Sequence, residues 1–171
     1  MYSTADYSIT PRPMYPADGR KVFDIYTWPP SIRCDIKREL GRFPFANFWG
    51  PAAGVDSLQG PAAAATRWIA ASAKWLEVKY RPTLTLVYLP HLDYDLQRHG
   101  PRVSAELNPA IRPALAQIDA VAGDLLDFFA GRGVQVVLLS EYGLTNVSRP
   151  VHLNRVFRQH GWLTIKEELG L

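Results

Sequence analysis

The sequence predicts an α/β fold, a parallel sheet flanked by helices, with an irregular region at its N-terminus. Three observations carry that expectation. Two apolar runs, 84–89 and 134–139, are rich in Val and Leu and do not alternate with polar residues, the pattern of strands buried on both faces. A long stretch of helical periodicity separates them, and a shorter helix and a third apolar run at 162–165 come after. Strand, helix, strand, helix, strand is the order of a sheet with right-handed crossovers.

Each element has its own local justification. Residues 1–80 are punctuated by Pro and Gly, so regular elements there are short. One helix is expected from Pro30 or Ser31 to Gly41, with a proline in its first turn and a glycine at its stop. A second runs from Pro61 to about Tyr80, where Trp68, Ala71, Trp75 and Val78 recur at helical spacing. The first strand begins after Pro82 and stops at Pro90. Helical periodicity then spans 104–130 through Leu107, Ile111, Leu115, Ile118, Ala122, Leu125 and Phe129, the continuous part beginning after Pro109. Gly131 and Gly133 end it ahead of the second strand, and a last helix is expected over 150–160.

Composition narrows the class. The chain has 171 residues, enough for one structural domain, and its texture divides it into a Pro- and Gly-rich region at 1–80 and an α/β core at 81–171. With 47% hydrophobic and 20% charged residues it is not a disordered tail. No apolar run approaches the roughly 20 residues of a membrane span, and no signal-peptide pattern opens the chain. A cytoplasmic protein with no membrane partner is the expectation. One cysteine, Cys34, precludes an internal disulfide and has no neighbouring histidine to activate it. The net charge of +3 is small, and the basic cluster of Arg33, Lys37, Arg38 and Arg42 is interrupted by Asp35 and Glu39. It reads as a solvated helix face, so a nucleic-acid partner is not expected.

In open α/β sheets ligands bind beyond the carboxyl ends of the strands. That rule selects His91-Leu92-Asp93-Tyr94-Asp95-Leu96-Gln97-Arg98-His99-Gly100-Pro101 and Ser140-Glu141-Tyr142-Gly143-Leu144. Carboxylates meeting there from neighbouring strands suit a divalent metal, able to polarise a phosphoryl oxygen and activate a hydroxyl. The same residues also suit helix caps and solvated loops, and position does not choose between these uses.

Asp93-Tyr94 and, beyond it, Gly100-Pro101 resemble the Asp-x-x-Gly-His-x-x-Gly-Pro segment of the type I phosphodiesterase/nucleotide pyrophosphatase family, within the alkaline phosphatase superfamily. Ser140-Glu141-Tyr142-Gly143-Leu144 is similar to that family's Ser-Asp-His-Gly-Met. Val151-His152-Leu153-Asn154-Arg155 and Gly161-Trp162-Leu163 resemble the family's next helix and strand, and Tyr15-Pro16-Ala17-Asp18-Gly19-Arg20 and Phe48-Trp49-Gly50-Pro51 the cap of one bacterial branch. The resemblance implies an alkaline-phosphatase-like core and metal-dependent hydrolysis of phosphate esters or anhydrides, on a small phosphate ester or nucleotide. It makes residues 1–80 a cap or insertion region and 81–171 a partial α/β core. It implies metal ligands at Asp93, Gln97, Glu141 and Tyr142, with His99 available through a shifted Asp95–His99 pairing. Gln97 and Tyr142 stand where the family has histidines, which makes this set richer in oxygen. Zinc is the family metal, and manganese, magnesium or calcium suit oxygen ligands better. Trp49 is placed to meet a base, and His152 a phosphate. The family's nucleophile precedes its cap and its last metal histidine lies well downstream, so the resemblance implies an internal fragment with no catalytic nucleophile of its own. A non-catalytic phosphate- or nucleotide-binding member of the fold is the alternative.

Overall fold

The computed structural model describes residues 5–20, 22–45, 62–141 and 143–165. They form helices and two small antiparallel sheets. Strand β1 (Ser8–Met14) pairs with β2 (Val22–Trp28), Ser8 opposite Trp28 and Met14 opposite Val22. The turn between them closes through Gly19 N–H donating to the Pro16 carbonyl at 3.0 Å, with Gly19 at φ 77°. The hairpin lies in the stretch expected to be broken by prolines. Pro11 and Pro13 sit in β1, which among the described residues pairs only with β2, and an edge strand is where proline is tolerated. Ile25 and Thr27 point inward from β2 and are buried.

Helix α1 (Ile32–Leu40) buries Ile32 and Ile36 and stops at Gly41, φ 76°. Helix α2 (Ala62–Tyr80) is the central element. One face contributes Ala65, Trp68 and Trp75 to a cluster with Ile25, Ile32, Ile36 and Phe43. Trp68 Nε1 donates to the Gly41 carbonyl at 3.1 Å and Trp75 Nε1 to Glu39 Oε2 at 2.7 Å, so both indoles are satisfied as core residues. The other face is of small residues. Ala70 and Ala73 meet Val121, Leu125 and Phe129 of helix α4 (Arg112–Ala130) in a second cluster. A Lys74–Asp124 ion pair joins the same two helices, and Arg132, just past the end of α4, pairs with Glu77 of α2. Val78, expected on the buried stripe, is 55% exposed because the stripe turns away as the helix ends.

Two expectations change here. Residues 91–99, singled out as the segment beyond a strand end with no helix expected there, form helix α3 (His91–His99). Residues 104–108, expected as the start of the long helix, instead belong to a small hairpin of β3 (Arg102–Val103) and β4 (Glu106–Leu107), with Ser104 at φ 57° in its turn. Asn108 then caps a 3-10 turn, Pro109–Ile111, and α4 begins at Arg112.

The runs expected as parallel strands are neither helix nor strand and form no ladder among the described residues. Over 84–89 the chain alternates, with Val87 and Leu89 packed on the α2–α4 cluster and Leu84, Leu86 and Tyr88 exposed. Over 134–139 it is open, Val137, Leu138 and Leu139 being more than 70% exposed. Nor does 162–165 pair. A strand is defined by ladder bonds, and apolar pattern supplies only the tendency to be covered. The described sheets are the two antiparallel hairpins. Helix α5 (Leu153–Gln159) lies within the span expected for the last helix. Among the described residues no helix is long and apolar enough to cross a membrane.

Candidate functional site

Helix α3 carries the first motif and orders it by face. Pro90 precedes it, and the Asp93 N–H donates to the Pro90 carbonyl at 3.2 Å. His91 and Asp95, four apart, are both buried on one side of the helix. His91 Nδ1 lies 3.2 Å from the Thr66 hydroxyl of α2. Asp93 and Gln97, also four apart, share another face, Asp93 half-buried and Gln97 exposed. The helix thus sets one carboxylate and one carboxamide side by side at the spacing the motif suggested. Asp95 and His99 do not share the same fate: Asp95 is in the interior and His99 is exposed. The Tyr94 phenol is pushed above its ordinary range, first by burial, then by the negative charge of Asp93 and by Tyr88.

The end of α3 is built around glycine and asparagine. Gly100 adopts φ 72° and donates its N–H to the Leu96 carbonyl at 2.9 Å, a left-handed stop that disfavours any side chain. Asn108 then closes the loop. Its Nδ2 donates to the carbonyls of His99 (2.7 Å) and Gly100 (3.2 Å), and its Oδ1 accepts from Ala110 N–H at 3.0 Å. Asn146, just past the second motif, reaches the same place. Its Nδ2 donates to the Arg102 carbonyl at 2.6 Å and its Oδ1 accepts from Arg102 N–H at 3.3 Å. Segments more than 40 residues apart in sequence are joined there.

Glu141 is exposed at the end of the open run, and Tyr142 and Trp49 lie outside the described residues. His152 is exposed at the N-cap position of α5, where its carbonyl accepts from Arg155 N–H at 2.9 Å. With Asn154, Arg155, Arg158, Leu163 and Ile165 it lines a cleft of about 500 Å³ whose charged groups are cationic. The resemblance gives a role to His152 and none to Arg155 or Arg158. It also passes over His91, Asn108 and Asn146. Asn108-Pro109 is legible in the sequence as a cap signal, whereas nothing local marks Asn146.

The donors at the two motifs are oxygens, which suit a hard divalent cation. Among the described residues no group of three or more His, Cys, Asp or Glu side chains that could hold a metal is gathered. Of the residues the resemblance singles out as ligands, the described ones are the pair Asp93 and Gln97 on α3, with His99 at its end, and Glu141 on the 140–144 segment.

No curated protein and no solved structure matches this chain. The family model for type I phosphodiesterase / nucleotide pyrophosphatase does, over residues 1–170, and the chain belongs to that family.

Proposed function

We propose that this chain supplies an oxygen-rich part of a divalent-metal centre for hydrolysis of phosphate esters or anhydrides, the substrate a small phosphate ester or nucleotide. The family acts on phosphate esters and nucleotides and is generally metal-dependent. The observation that carries the reading is the double hydrogen bond between Asn146 and Arg102, which joins the segments trailing the two motifs. In this reading Asp93, Gln97, Glu141 and Tyr142 are the ligands and His99 an auxiliary one. Runs 84–89 and 134–139, unpaired in the conformation described, are the segments that would pair as adjacent strands of the family's parallel sheet if covered on both faces. A bound divalent ion would polarise the phosphoryl oxygen and neutralise charge developing on it. His152, beside Arg155 and Arg158, would hold a substrate phosphate by charge-assisted hydrogen bonds, and Trp49 would stack on a base. The catalytic nucleophile is not among the residues assigned.

Manganese titration monitored by electron paramagnetic resonance tests the ligand set. Asp93→Asn and Glu141→Gln should each weaken Mn²⁺ binding by about tenfold or more. Wild-type-like binding in both variants, or no saturable site in the wild type, would overturn it. A second reading, binding without hydrolysis, is favoured by Gln97 and Tyr142, which replace imidazoles with weaker ligands. It predicts saturable Mn²⁺ and phosphate binding with no turnover of bis-p-nitrophenyl phosphate by the complete polypeptide.

A further inference from the structure

We propose that Asn146 is a positioning residue, whose carboxamide holds the Glu141 segment in register against the C-terminal end of α3. This deepens the reading of Asp93 and Glu141 as partners and rests on it for its functional consequence.

Three observations converge on the side chain. A carboxamide offers one acceptor and donors on the same planar group, the complement of a peptide unit. Asn146 uses both toward Arg102, accepting from its N–H and donating to its C=O, as a neighbouring strand would. Arg102 is itself paired with Leu107 across β3 and β4, so Asn146 grips a residue that is already fixed. On the far side, Asn108 ties the carbonyls of His99 and Gly100 to the start of the 3-10 turn that leads into α4. The path from Asn146 to α3 is therefore a short run of backbone held at each end.

Gly100 supplies the third observation. A Cβ built on it would lie 2.9 Å from Asn146 Oδ1, closer than van der Waals contact allows. Glycine is favoured there by its φ of 72°, and a side chain would push the carboxamide out of its seat. Packing contributes little to the register, because Leu144 is only half-buried, Val147 is 87% exposed and the other residues of 143–147 are exposed. Two hydrogen bonds from one amide set the position of the 143–147 segment, and with it the point from which Glu141 departs.

Hydrogen exchange with mass spectrometry on the whole chain tests the clamp, and Mn²⁺ titration tests its consequence. Asn146→Ala should speed amide exchange in 98–103 and 143–147 by about tenfold, the effect of losing hydrogen bonds, while α2 and α4 stay protected. Asn146→Asp keeps the acceptor and loses the donor, and should fall between. Gly100→Ala should loosen 143–147, and adding Asn146→Ala to it should add little, the signature of coupled residues. Mn²⁺ affinity should fall about tenfold in Asn146→Ala. Unchanged exchange in 98–103 and 143–147, or fully additive effects of the two substitutions, would overturn the clamp. Faster exchange with Mn²⁺ affinity equal to wild type would overturn the positioning role. Absence of Mn²⁺ binding by the wild type would defeat the metal reading, and the exchange and additivity results would still decide the clamp.

Discussion

Glu39, at the end of α1, accepts hydrogen bonds from two residues of α2, Trp75 Nε1 at 2.7 Å and Lys79 Nζ at 2.5 Å. Lys79 also sits over the Trp75 ring, 4.4 Å from its centroid. These bonds, the one from Lys79 first, hold the Glu39 carboxyl below its ordinary range. A carboxylate depressed in the folded state contributes stability above its unfolded pKa, and that contribution is lost as pH falls through the folded value. Glu39→Gln should therefore be less stable than wild type near neutral pH, and the gap should close as the solution is acidified below the carboxylate range. Urea midpoints measured across a pH series check this. A gap that stays constant down to about pH 3 would show that the charge of Glu39 is immaterial to the α1–α2 contact. Residue-scale chemistry of this kind is partly legible from sequence. The four-residue spacing of Asp93 and Gln97 gives their shared helical face, and the seven-residue spacing of Trp68 and Trp75 places both in the core. Asn146 is not legible, because the value of a lone carboxamide depends on which backbone lies opposite it, and the sequence does not record that.

At the scale of elements, α2 is shared between two cores, and its composition is divided to match. The face toward β2 and α1 carries large aromatics, and the face toward α4 carries Ala70 and Ala73. Small residues let two helices approach, and enlarging one forces side chains off their rotamers or the helices apart. Ala73→Leu should cost about 1–3 kcal/mol in urea denaturation, while Val78→Leu, on an exposed position of the same helix, should stay within about 0.5 kcal/mol. Equal effects at the two sites would mean that α2 and α4 are not packed at Ala73. The helices are readable because an apolar stripe over several turns leaves a strong periodic signal. The β1–β2 hairpin is not, since Pro11 and Pro13 look like breaks unless the strand is known to be an edge. The 91–99 segment lacks a long enough stripe to reveal a nine-residue helix, and the position rule for strand ends marks it as a ligand site without giving its conformation.

The whole molecule leaves an unusual surface. Leu84, Leu86 and Tyr88 from one run, Val137, Leu138 and Leu139 from another, and Trp162 and Ile165 beyond them are all at least 60% exposed. Apolar patches of more than a few hundred Å² on one chain favour association, and runs with open backbone groups favour it further. The sequence announces these runs as strands because Val and Leu without alternation imply cover on both faces. Their pairing depends on neighbours, and the pattern of one run cannot specify the partner. In the conformation described, Val137→Lys with Leu139→Lys places charge in solvent, so thermal unfolding of the chain should barely change, within about 0.5 kcal/mol. Sedimentation velocity should show concentration-dependent association in the wild type and less of it in the double variant, with weaker binding of an apolar dye. A strand covered on both faces would respond in the opposite way, since burying two unpaired ammonium groups is severely destabilising. Cooperative loss of structure in the double variant would therefore show that 134–139 is a covered strand in solution. Retention of the fold with reduced association would show that its apolar face is open in this chain.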